Sequence, residues 1–453
     1  FTANIARRKM QEHGNPEKAV HTASAWPNTV KAGPFTVGFV PISHSIPESS
    51  GLVIDSAGGR IVHTGDFKID VNLVVGEPFD RDLWASLSEP GVKALVCDST
   101  NVFSPGQSGS EGDIFENMSG IIADCPGRIA VACFATNVAR LETIARAAQE
   151  NGRQVVLAGR SLWRIQSAAR ENGYLADIPA FLDEAEANNL PDDKVLIICT
   201  GSQGEPRAAL SRIANGDHPR IELGEGDWVV FSSREIPGNE TSISRLQNDL
   251  VARGVRIITA RDAFIHVSGH PNRDELSHMY QLVRPRIAVP VHGELRHLVE
   301  HARLARECQV EAAIVAPNGT MARLAPDPVE TVDHVPTGRL AMVGGRLVPL
   351  DGNLIKERIR GVWHGVVTVT VAVDDGGLAD EPQITTLGIS EMPEDDPVID
   401  AAREAAINAV KSMPPRKLAD DAEVLEAVRL AVRRTFRANL DMKPVTTVHL
   451  VRI

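Results

Sequence analysis

Short apolar runs separated by polar turns fill the first hundred residues of the chain. The runs FTVGFVPI (35–42), SGLVIDS (50–56), GRIVHTG (59–65) and VKALVCDS (92–99) have the length and β-branched content of strands. A Gly-Gly pair at 58–59 lies between the second and third runs and predicts a hairpin. The sequence therefore predicts a sheet of closely spaced strands in this region.

From about residue 112 the pattern changes to strands that alternate with longer amphipathic segments. The runs RIAVACFA, QVVLAG, KVLIICTGS and WVVFSSR predict strands, and helices are predicted over 138–148 and from about Ser161, Glu205 and Thr241. This alternation is typical of a parallel sheet covered by helices. The runs VRIITA, RIAVPVHG and AAIVAPNG then predict further short strands.

The last ninety residues have the pattern of a small α/β domain. A Pro- and Gly-rich stretch, 326–361, precedes them and predicts a linker. The runs GVVTVTVAVD, QITTLGI and PVTTVHLVRI predict strands, and Asp396-Pro397 predicts the capped start of one helix. A second helix is predicted over 421–439.

Composition narrows the class of protein. The 453 residues, 43% hydrophobic and 23% charged, suit a soluble protein of two to four domains, and no apolar run approaches the roughly 20 residues that span a bilayer. Five scattered cysteines without a CxxC pair argue against a disulfide framework or a cysteine zinc site and fit a reducing cytoplasm. A net charge of −12 argues against a non-specific nucleic-acid coat protein, although not against a nuclease. The sequence lacks the phosphate-binding motif GxxxxGK[ST], which argues against an ATPase.

Four groups of polar residues lie where predicted strands end. They are His44; His63 and Asp66; His266, Ser268 and His270; and His292, Glu294 and His297. Any one such histidine is more often an ordinary polar or satisfied core residue. Four groups in one chain favour the ligand set of a zinc or manganese hydrolase, because His and Asp on loops at strand ends can converge on one metal site.

Two further turns could bind an anion. CTGSQGEP places Ser202 between a predicted strand and helix, and FSSREIPGNE does the same with Ser232 and Ser233. For an isolated turn of this kind, helix capping is the preferred explanation. The basic residues Arg429, Arg433, Arg434 and Arg437 favour a solvated helix face, with RNA contact as the alternative.

Eight collinear motifs resemble bacterial ribonuclease J. They are SHSIPESSGLVI, IVHTGDFKID, CDSTN, FATNVAR, TGSQGEPRAAL, IPGNE, HVSGH and PVHGELRHL. The resemblance implies an α/β fold: a metallo-β-lactamase αββα sandwich, incomplete at its N-terminus, with an inserted β-CASP parallel α/β domain and a small C-terminal α/β domain. It implies metallo-β-lactamase segments at 1–110 and 266–345, the β-CASP domain at 111–265 and the C-terminal domain at 362–453.

The resemblance also implies roles for individual residues. His44, Asp66 and His292 match metal ligands, with Asp66 as the bridging carboxylate. His270 matches the histidine that contacts the scissile phosphate and assists proton transfer, and Asp98 matches the acid that holds it. The segment His266, Val267, Ser268, Gly269 and His270 matches the substrate-binding segment, and Ser202 and Ser233 are expected to help bind a terminal phosphate.

The implied function is metal-dependent cleavage of single-stranded RNA. Members combine 5′-to-3′ exonuclease and endonuclease action in RNA maturation, including ribosomal RNA processing, and in decay. They prefer 5′-monophosphorylated RNA and use a hydroxide activated by two divalent ions, most often Zn, with Mn or Mg as alternatives. A homodimer or homotetramer in the cytoplasm, without a membrane partner, is expected.

One departure from the family concerns its main ligand motif, HxHxDH, which the sequence lacks. We expect the chain, which begins at Phe1 within a predicted helix, to be an N-terminally truncated member that binds metal weakly and is inactive or nearly so. Two alternatives remain: a catalytically dead RNA-binding or assembly subunit, and a DNA nuclease or small-ester hydrolase of the same superfamily.

Overall fold

The computed structural model describes residues 1–374, 376–392 and 396–453, and two compact units divide the chain into Phe1–Val335 and Pro336–Ile453. The described strands are β1 Thr29–Ala32, β2 Phe35–Pro41, β3 Ser50–Ser56, β4 Gly59–His63, β5 Val92–Asp98, β6 Ile129–Ala132, β7 Gln154–Ala158, β8 Val195–Cys199, β9 Trp228–Phe231, β10 Arg256–Ile258, β11 Ile287–Val291, β12 Ala312–Ala313, β13 Thr320–Arg323, β14 Glu330–His334, β15 Leu340–Val343, β16 Arg346–Pro349, β17 Val366–Asp374, β18 Gly377–Leu378, β19 Gln383–Leu387 and β20 Val445–Arg452. The described α-helices are α1 Thr2–Glu12, α2 Arg81–Ser86, α3 Phe115–Asp124, α4 Val138–Glu150, α5 Arg160–Glu171, α6 Ala209–Asn215, α7 Glu240–Ala252, α8 Arg273–Val283, α9 Leu295–Glu307, α10 Asn353–His364, α11 Pro397–Lys411, α12 Pro415–Leu418 and α13 Asp421–Leu440.

The first unit contains a mixed seven-stranded sheet in the order β1-β2-β3-β4-β5-β11-β12. Strands β1, β2, β3 and β4 pair in this order as antiparallel neighbours, and the predicted Gly58-Gly59 hairpin joins β3 to β4. Strands β4, β5, β11 and β12 are parallel neighbours. Apolar residues of this sheet pack on helices α2, α8 and α9 through buried residues such as Trp84, Met279 and Leu304. This core fixes the strand ends that carry the site.

A second sheet is inserted between β5 and β11. Its five strands are all parallel, in the order β10-β9-β6-β8-β7, and helices α3 to α7 supply the buried residues on its faces. Strands β6 and β8 are buried along their whole length, which explains their uninterrupted apolar runs in the sequence. The alternating pattern of the sequence predicted this parallel sheet.

The second unit is built on the long strand β17. It pairs parallel with β20 and antiparallel with β18 and β19, and helices α11 and α13 bury its apolar residues. Asp396 caps α11 by accepting a hydrogen bond from the Val398 amide, as predicted. None of the helices within the described residues is long and apolar enough to cross a membrane.

The structure corrects two of the predicted elements and adds two helices that were not predicted. The helix predicted from Glu205 begins at Ala209, because the chain first makes turns around Pro206 that bond the Leu210 amide to the Thr200 carbonyl. The predicted linker 326–361 contains β14, β15, β16 and most of α10, since its glycines form tight turns such as the one at Gly344. Helices α8 and α9 were not predicted, although each begins with a capping box, Asn272 with Glu275 and Glu294 with His297.

Candidate active site

Three parallel strands deliver polar residues to one edge of the seven-stranded sheet. Strands β4, β5 and β11 are neighbours and run in the same direction, so their carboxyl ends meet there. Asp66 follows β4, Asp98 ends β5, and His292 follows β11. Strand β2 runs in the same direction, because it is antiparallel to β3 and β3 to β4, and it brings His44 to this edge.

A residue from outside the sheet completes the cluster. His270 lies in the segment between β10 and α8, where the inserted domain returns to the first sheet. Asp66, Asp98, His270 and His292 can each offer one ligand atom with all four atoms within 4.8 Å of one another. The His44 ring centroid lies 5.1 Å from that of His270, which in turn lies 5.1 Å from that of His292. We call Asp66, Asp98, His270 and His292 the donor cluster.

Asp98 is the buried centre of the donor cluster. Its Oδ2 accepts a hydrogen bond from His270 Nδ1 at 2.7 Å, and its Oδ1 accepts from the amide and the hydroxyl of Thr100 at 2.8 and 2.7 Å. Burial alone would raise the pKa of Asp98, but the hydrogen bond from His270 and the approach of His292 Nδ1 to 3.5 Å outweigh it and hold the pKa below its usual range. Asp98 is therefore a carboxylate at neutral pH.

Each of the three histidines at the site is held through Nδ1. His44 donates to the Gly269 carbonyl at 2.6 Å, His270 to Asp98 and His292 to the Thr100 hydroxyl at 2.8 Å. Since the Thr100 proton goes to Asp98, this tautomer of His292 is the one that satisfies both groups. Within the part of the chain that the structure describes, none of the three rings uses Nε2 in a hydrogen bond, so Nε2 can bind a ligand.

This arrangement fits a divalent metal. Metal-binding histidines almost always donate their second ring nitrogen to a carboxylate, carbonyl or similar acceptor, which is the pattern seen here. Burial lowers the pKa of His44, which favours its neutral, ligating form. The Asp98 carboxylate, 3.5 Å from Nδ1, raises the pKa of His292, so a metal there competes with a proton.

The segment His266–His270 is fixed from the inserted domain by a buried arginine. Arg140 donates from Nη1 to the Ser232 carbonyl and hydroxyl at 2.8 and 2.7 Å and approaches His266 Nδ1 at 3.3 Å, and Glu111 accepts from its other side. Burial, then the charge of Arg140, lowers the pKa of His266 to about 3. His266 is therefore neutral at physiological pH.

The far end of that segment is held by an asparagine. Asn101 donates from Nδ2 to the Ser268 hydroxyl at 2.8 Å and to the His270 carbonyl at 3.0 Å. Gly269 lies so close to the first sheet that a Cβ there would be 2.2 Å from Ser45 Oγ and 2.8 Å from the His44 ring. Glycine at this position therefore permits the close approach of the segment to His44 and Ser45.

Ser202 and Ser233 lie together, away from a helix start. Both line a cavity of about 290 Å³, together with Arg234, Thr259 and Arg261. Arg234 donates to the Asn101 side chain at 3.2 Å, which connects this cavity to the residues that hold Ser268 and His270. Because α6 begins at Ala209, Ser202 does not lie at the start of a helix, and its role in binding a phosphate stays a prediction.

Sequence reasoning missed several residues that orient the site. Thr100 and Asn101 belong to the quoted motif CDSTN and Arg140 to FATNVAR, but only the structure pairs them with His292, Ser268 and Glu111. His297, which the sequence offered as a metal-site residue, accepts a hydrogen bond from the Glu294 amide in the capping box of α9. The motif strings were the one available signal for these residues.

Comparison with known proteins places these features in a family. The family model "Ribonuclease J, beta-CASP domain" matches residues 126–250, "Zn-dependent metallo-hydrolase RNA specificity domain" matches 254–315, and "Ribonuclease J C-terminal domain" matches 353–453. Ribonuclease J of Sinorhizobium meliloti is 40% identical over 455 residues, covering 100% of this chain and 81% of that protein. The chain belongs to the ribonuclease J family. Ribonuclease J 1 of Streptococcus pyogenes is 34% identical (97% and 80% coverage), and Ribonuclease J of Corynebacterium glutamicum is 34% identical (86% and 55%).

Membership confirms the resemblance, the fold class and the assignment to ribonucleases. The seven-stranded sheet and the parallel insert agree with a metallo-β-lactamase fold that carries a β-CASP domain, followed by the C-terminal α/β domain. The donor cluster and the metallo-hydrolase match support use of a divalent metal by this ribonuclease J family member. The RNA-specificity match supports RNA as its partner.

Proposed function

We propose that this ribonuclease cleaves single-stranded RNA by hydrolysis, as a 5′-to-3′ exonuclease and as an endonuclease, in RNA maturation and decay in the cytoplasm. The observation that carries the proposal is the donor cluster, which gathers two carboxylates and two imidazoles at one sheet edge. Two-metal phosphodiester hydrolysis uses carboxylate and imidazole ligands, with each imidazole held by an acceptor at its Nδ1. The fold beneath them makes the arrangement rigid.

Asp66 and His292 would hold divalent ions, with His44 as a third ligand. Their free atoms support this role: His44 and His292 use Nδ1 for other bonds, and Asp66 is partly exposed with its carboxylate directed toward His292 Nε2 at 3.8 Å. Bound divalent ions, Zn in the first instance and Mn or Mg as alternatives, supply Lewis acidity that activates water and neutralises charge on phosphoryl oxygens. Asp66 follows β4 and approaches His292 after β11, and we assign it the role of the bridging carboxylate.

His270 would act as the proton donor to the leaving 3′ oxygen. Its Nδ1 is bound to the buried carboxylate of Asp98, so Nε2 is the nitrogen that can face substrate. A histidine oriented by a carboxylate can carry a proton at the leaving group while the carboxylate stabilises the imidazolium. Asp98 would therefore orient His270 and raise its capacity to transfer a proton.

The segment His266, Val267, Ser268, Gly269 and His270 would bind the RNA backbone. Arg140 approaches its first residue, His266, and Asn101 bonds Ser268 and the His270 carbonyl near its other end, so both ends of the segment are fixed. Ser202 and Ser233, with Arg234 and Arg261 in the same cavity, would contribute to binding a 5′-monophosphate. Glu235 also lines this cavity and pairs with Arg261 at 3.3 Å, so Arg234 and the serine hydroxyls would supply the main contacts with the phosphate.

We further propose that the chain of 453 residues cleaves slowly. It lacks HxHxDH, and two members of the donor cluster, Asp98 and His270, are already bound to each other. Three ligands, His44, Asp66 and His292, are few for two ions. Weak metal binding, with fewer than two ions per chain, would follow.

Self-association would involve the second unit. Several large apolar side chains of α10 and of the β15-β16 hairpin are exposed: Leu340, Met342, Leu347, Ile359, Val362 and Trp363. A second copy of the chain, in a homodimer or homotetramer, would cover such residues. Light scattering after chromatography tests this: Trp363→Asp should lower the mass of the assembly, and an unchanged multimer would contradict the proposal.

The test of the proposed function compares matched RNA and DNA oligonucleotides with 5′-monophosphate, 5′-triphosphate or 5′-hydroxyl ends. With protein in excess and Zn²⁺ or Mn²⁺ present, we expect slow cleavage of RNA, fastest for the monophosphate, and none in EDTA. Equal cleavage of DNA would favour the DNA nuclease of the same superfamily. RNA binding without cleavage under every metal would favour the non-catalytic RNA-binding or assembly subunit.

A further inference from the structure

Ser99 lies between two site residues but faces the opposite way. Asp98 and Thr100, on either side of it, hold His270 and His292. The Ser99 side chain is fully buried, and its Oγ lies 2.8 Å from Nδ1 of His301 in helix α9. The turn at the end of β5 is thus bonded to the site on one side and to the protein interior on the other.

His301 continues this contact to a second helix. Its Nε2 lies 2.9 Å from the hydroxyl of Tyr280 in α8, and at most 2% of either residue is exposed. Burial lowers the pKa of His301 to about 4, so the ring is neutral and has one N–H donor. With one donor and one acceptor nitrogen, the ring satisfies Ser99 and Tyr280 at once, so all three groups form a continuous hydrogen-bonded chain.

The buried core around this hydrogen-bonded network is apolar. Leu276, Met279 and Leu304 belong to the same buried core, where apolar residues of similar volume would pack without any need for hydrogen bonds. A satisfied polar network in such a core fixes one arrangement of its members at some cost in stability. Ser99 is the member of this network that lies outside helices α8 and α9. The network therefore fixes the position of Ser99 relative to these two helices.

The loop that carries His292 also lies against Ser99. A Cβ at Gly293 would be 3.3 Å from the Ser99 Cβ, so the two backbones approach closely. The position of Ser99 thus determines where the Asp98–Thr100 turn lies. It also determines where Gly293, the residue next to His292, can lie. Both histidines of the donor cluster depend on it.

We propose that Ser99, His301 and Tyr280 are positioning residues for the metal site. Their hydrogen-bonded chain fixes the turn from Asp98 to Thr100, so that Asp98 and Thr100 hold His270 and His292 with Nε2 directed into the donor cluster. This proposal rests on the proposed function, because it assumes that the donor cluster binds a divalent ion.

The test measures the Zn²⁺ affinity of the whole chain by competition with a chromophoric chelator, in parallel with the melting temperature. Ser99→Ala removes the hydroxyl and should weaken Zn²⁺ binding by about 10- to 100-fold, the range for residues that orient ligands. Ser211→Ala is the matched control, because Ser211 is also a buried serine, bonded at 2.7 Å to the Glu205 carbonyl in the inserted domain. It should leave the Zn²⁺ affinity unchanged.

Two substitutions at His301 separate positioning from stability. The amide of His301→Asn reaches the place of Nδ1 and keeps the bond to Ser99, whereas that of His301→Gln reaches the place of Nε2 and keeps the bond to Tyr280. Each loses one bond, so their melting temperatures should fall alike, but only His301→Gln should lose Zn²⁺ affinity. Equal affinities for the two variants, or wild-type affinity in Ser99→Ala, would overturn the positioning role. A wild-type chain without Zn²⁺ binding would overturn the proposed function as well.

Discussion

His270 donates from Nδ1 to the Asp98 carboxylate across 2.7 Å, although 172 positions separate the two residues in the chain. Asp98 ends a strand of the first sheet, and His270 arrives from the far side of the inserted domain. The bond therefore exists only when both sheets have folded and docked. It makes the chemistry of the site depend on the insertion.

Replacing the acceptor tests this bond. Asp98→Asn keeps the volume of the side chain but removes the charge that orients His270, and the amide that it introduces can donate where an acceptor is required. We expect single-turnover RNA cleavage to fall by about 10²- to 10⁴-fold, the range for loss of positioned proton transfer. Asp400→Asn, an exposed change in α11, is the control and should leave cleavage unchanged. Full activity of Asp98→Asn would show that His270 needs no carboxylate.

Gly269→Ala tests the close approach of the substrate-binding segment. The added Cβ would lie 2.2 Å from Ser45 Oγ and 2.8 Å from the His44 ring, so the segment must move away from the first sheet. We expect weaker binding of a fluorescent RNA oligonucleotide in EDTA, where no cleavage interferes. Gly120→Ala in α3, whose Cβ would meet no atom within 4 Å, is the matched control. Unchanged RNA binding by Gly269→Ala would contradict the role of this segment.

The buried pair of Arg140 and Glu111 should dominate the stability of the inserted domain. Glu111→Gln leaves the Arg140 charge buried without its partner, which we expect to cost about 3–5 kcal/mol in the free energy of unfolding. Glu426→Gln breaks an exposed pair with Arg429 and should leave the free energy of unfolding nearly unchanged, because solvent screens such pairs. Urea denaturation of both variants decides the matter. A cost for Glu111→Gln no larger than that of the exposed pair would show that the buried network contributes little.

Stability should decline as the pH falls below about 6.5, in part because of His301. Burial lowers the pKa of His301 to about 4 in the folded protein, whereas the unfolded chain has the ordinary value of about 6.5. Between these values the unfolded state binds more protons, so stability is complete above pH 6.5 and is lost as the pH falls toward 4, by at most about 1.4 kcal/mol per pH unit for this group. His301→Asn should make the curve of melting temperature against pH shallower in this window. An identical slope in wild type and variant would contradict the lowered pKa.

The sequence predicted the strands well because each is a short apolar run with clear turns, and the parallel insert because strands and helices alternate there. It also grouped His44, Asp66, His270 and His292 at strand ends, where parallel strands place them together. Helices α8 and α9 escaped prediction because short strands on either side dominated the pattern, although Asn272 and Glu294 gave capping signals.

The contacts that orient the site were beyond prediction from local pattern. Ser99, His301 and Arg140 are unremarkable in the sequence, and their partners lie 202, 21 or 29 positions away. Which face of a turn a side chain takes depends on packing between elements distant in the chain. The structure alone therefore supplied Thr100, Asn101 and the buried chain behind Asp98.

The most direct test of the central claim is single-turnover cleavage of a 5′-monophosphorylated single-stranded RNA by the protein in excess, with Zn²⁺ or Mn²⁺ and then with EDTA, for wild type and Asp66→Asn. Our account predicts slow cleavage that requires the metal and disappears in Asp66→Asn, while binding of the RNA persists. Cleavage that survives EDTA or the Asp66→Asn change, or RNA binding with no cleavage under any metal, would contradict it.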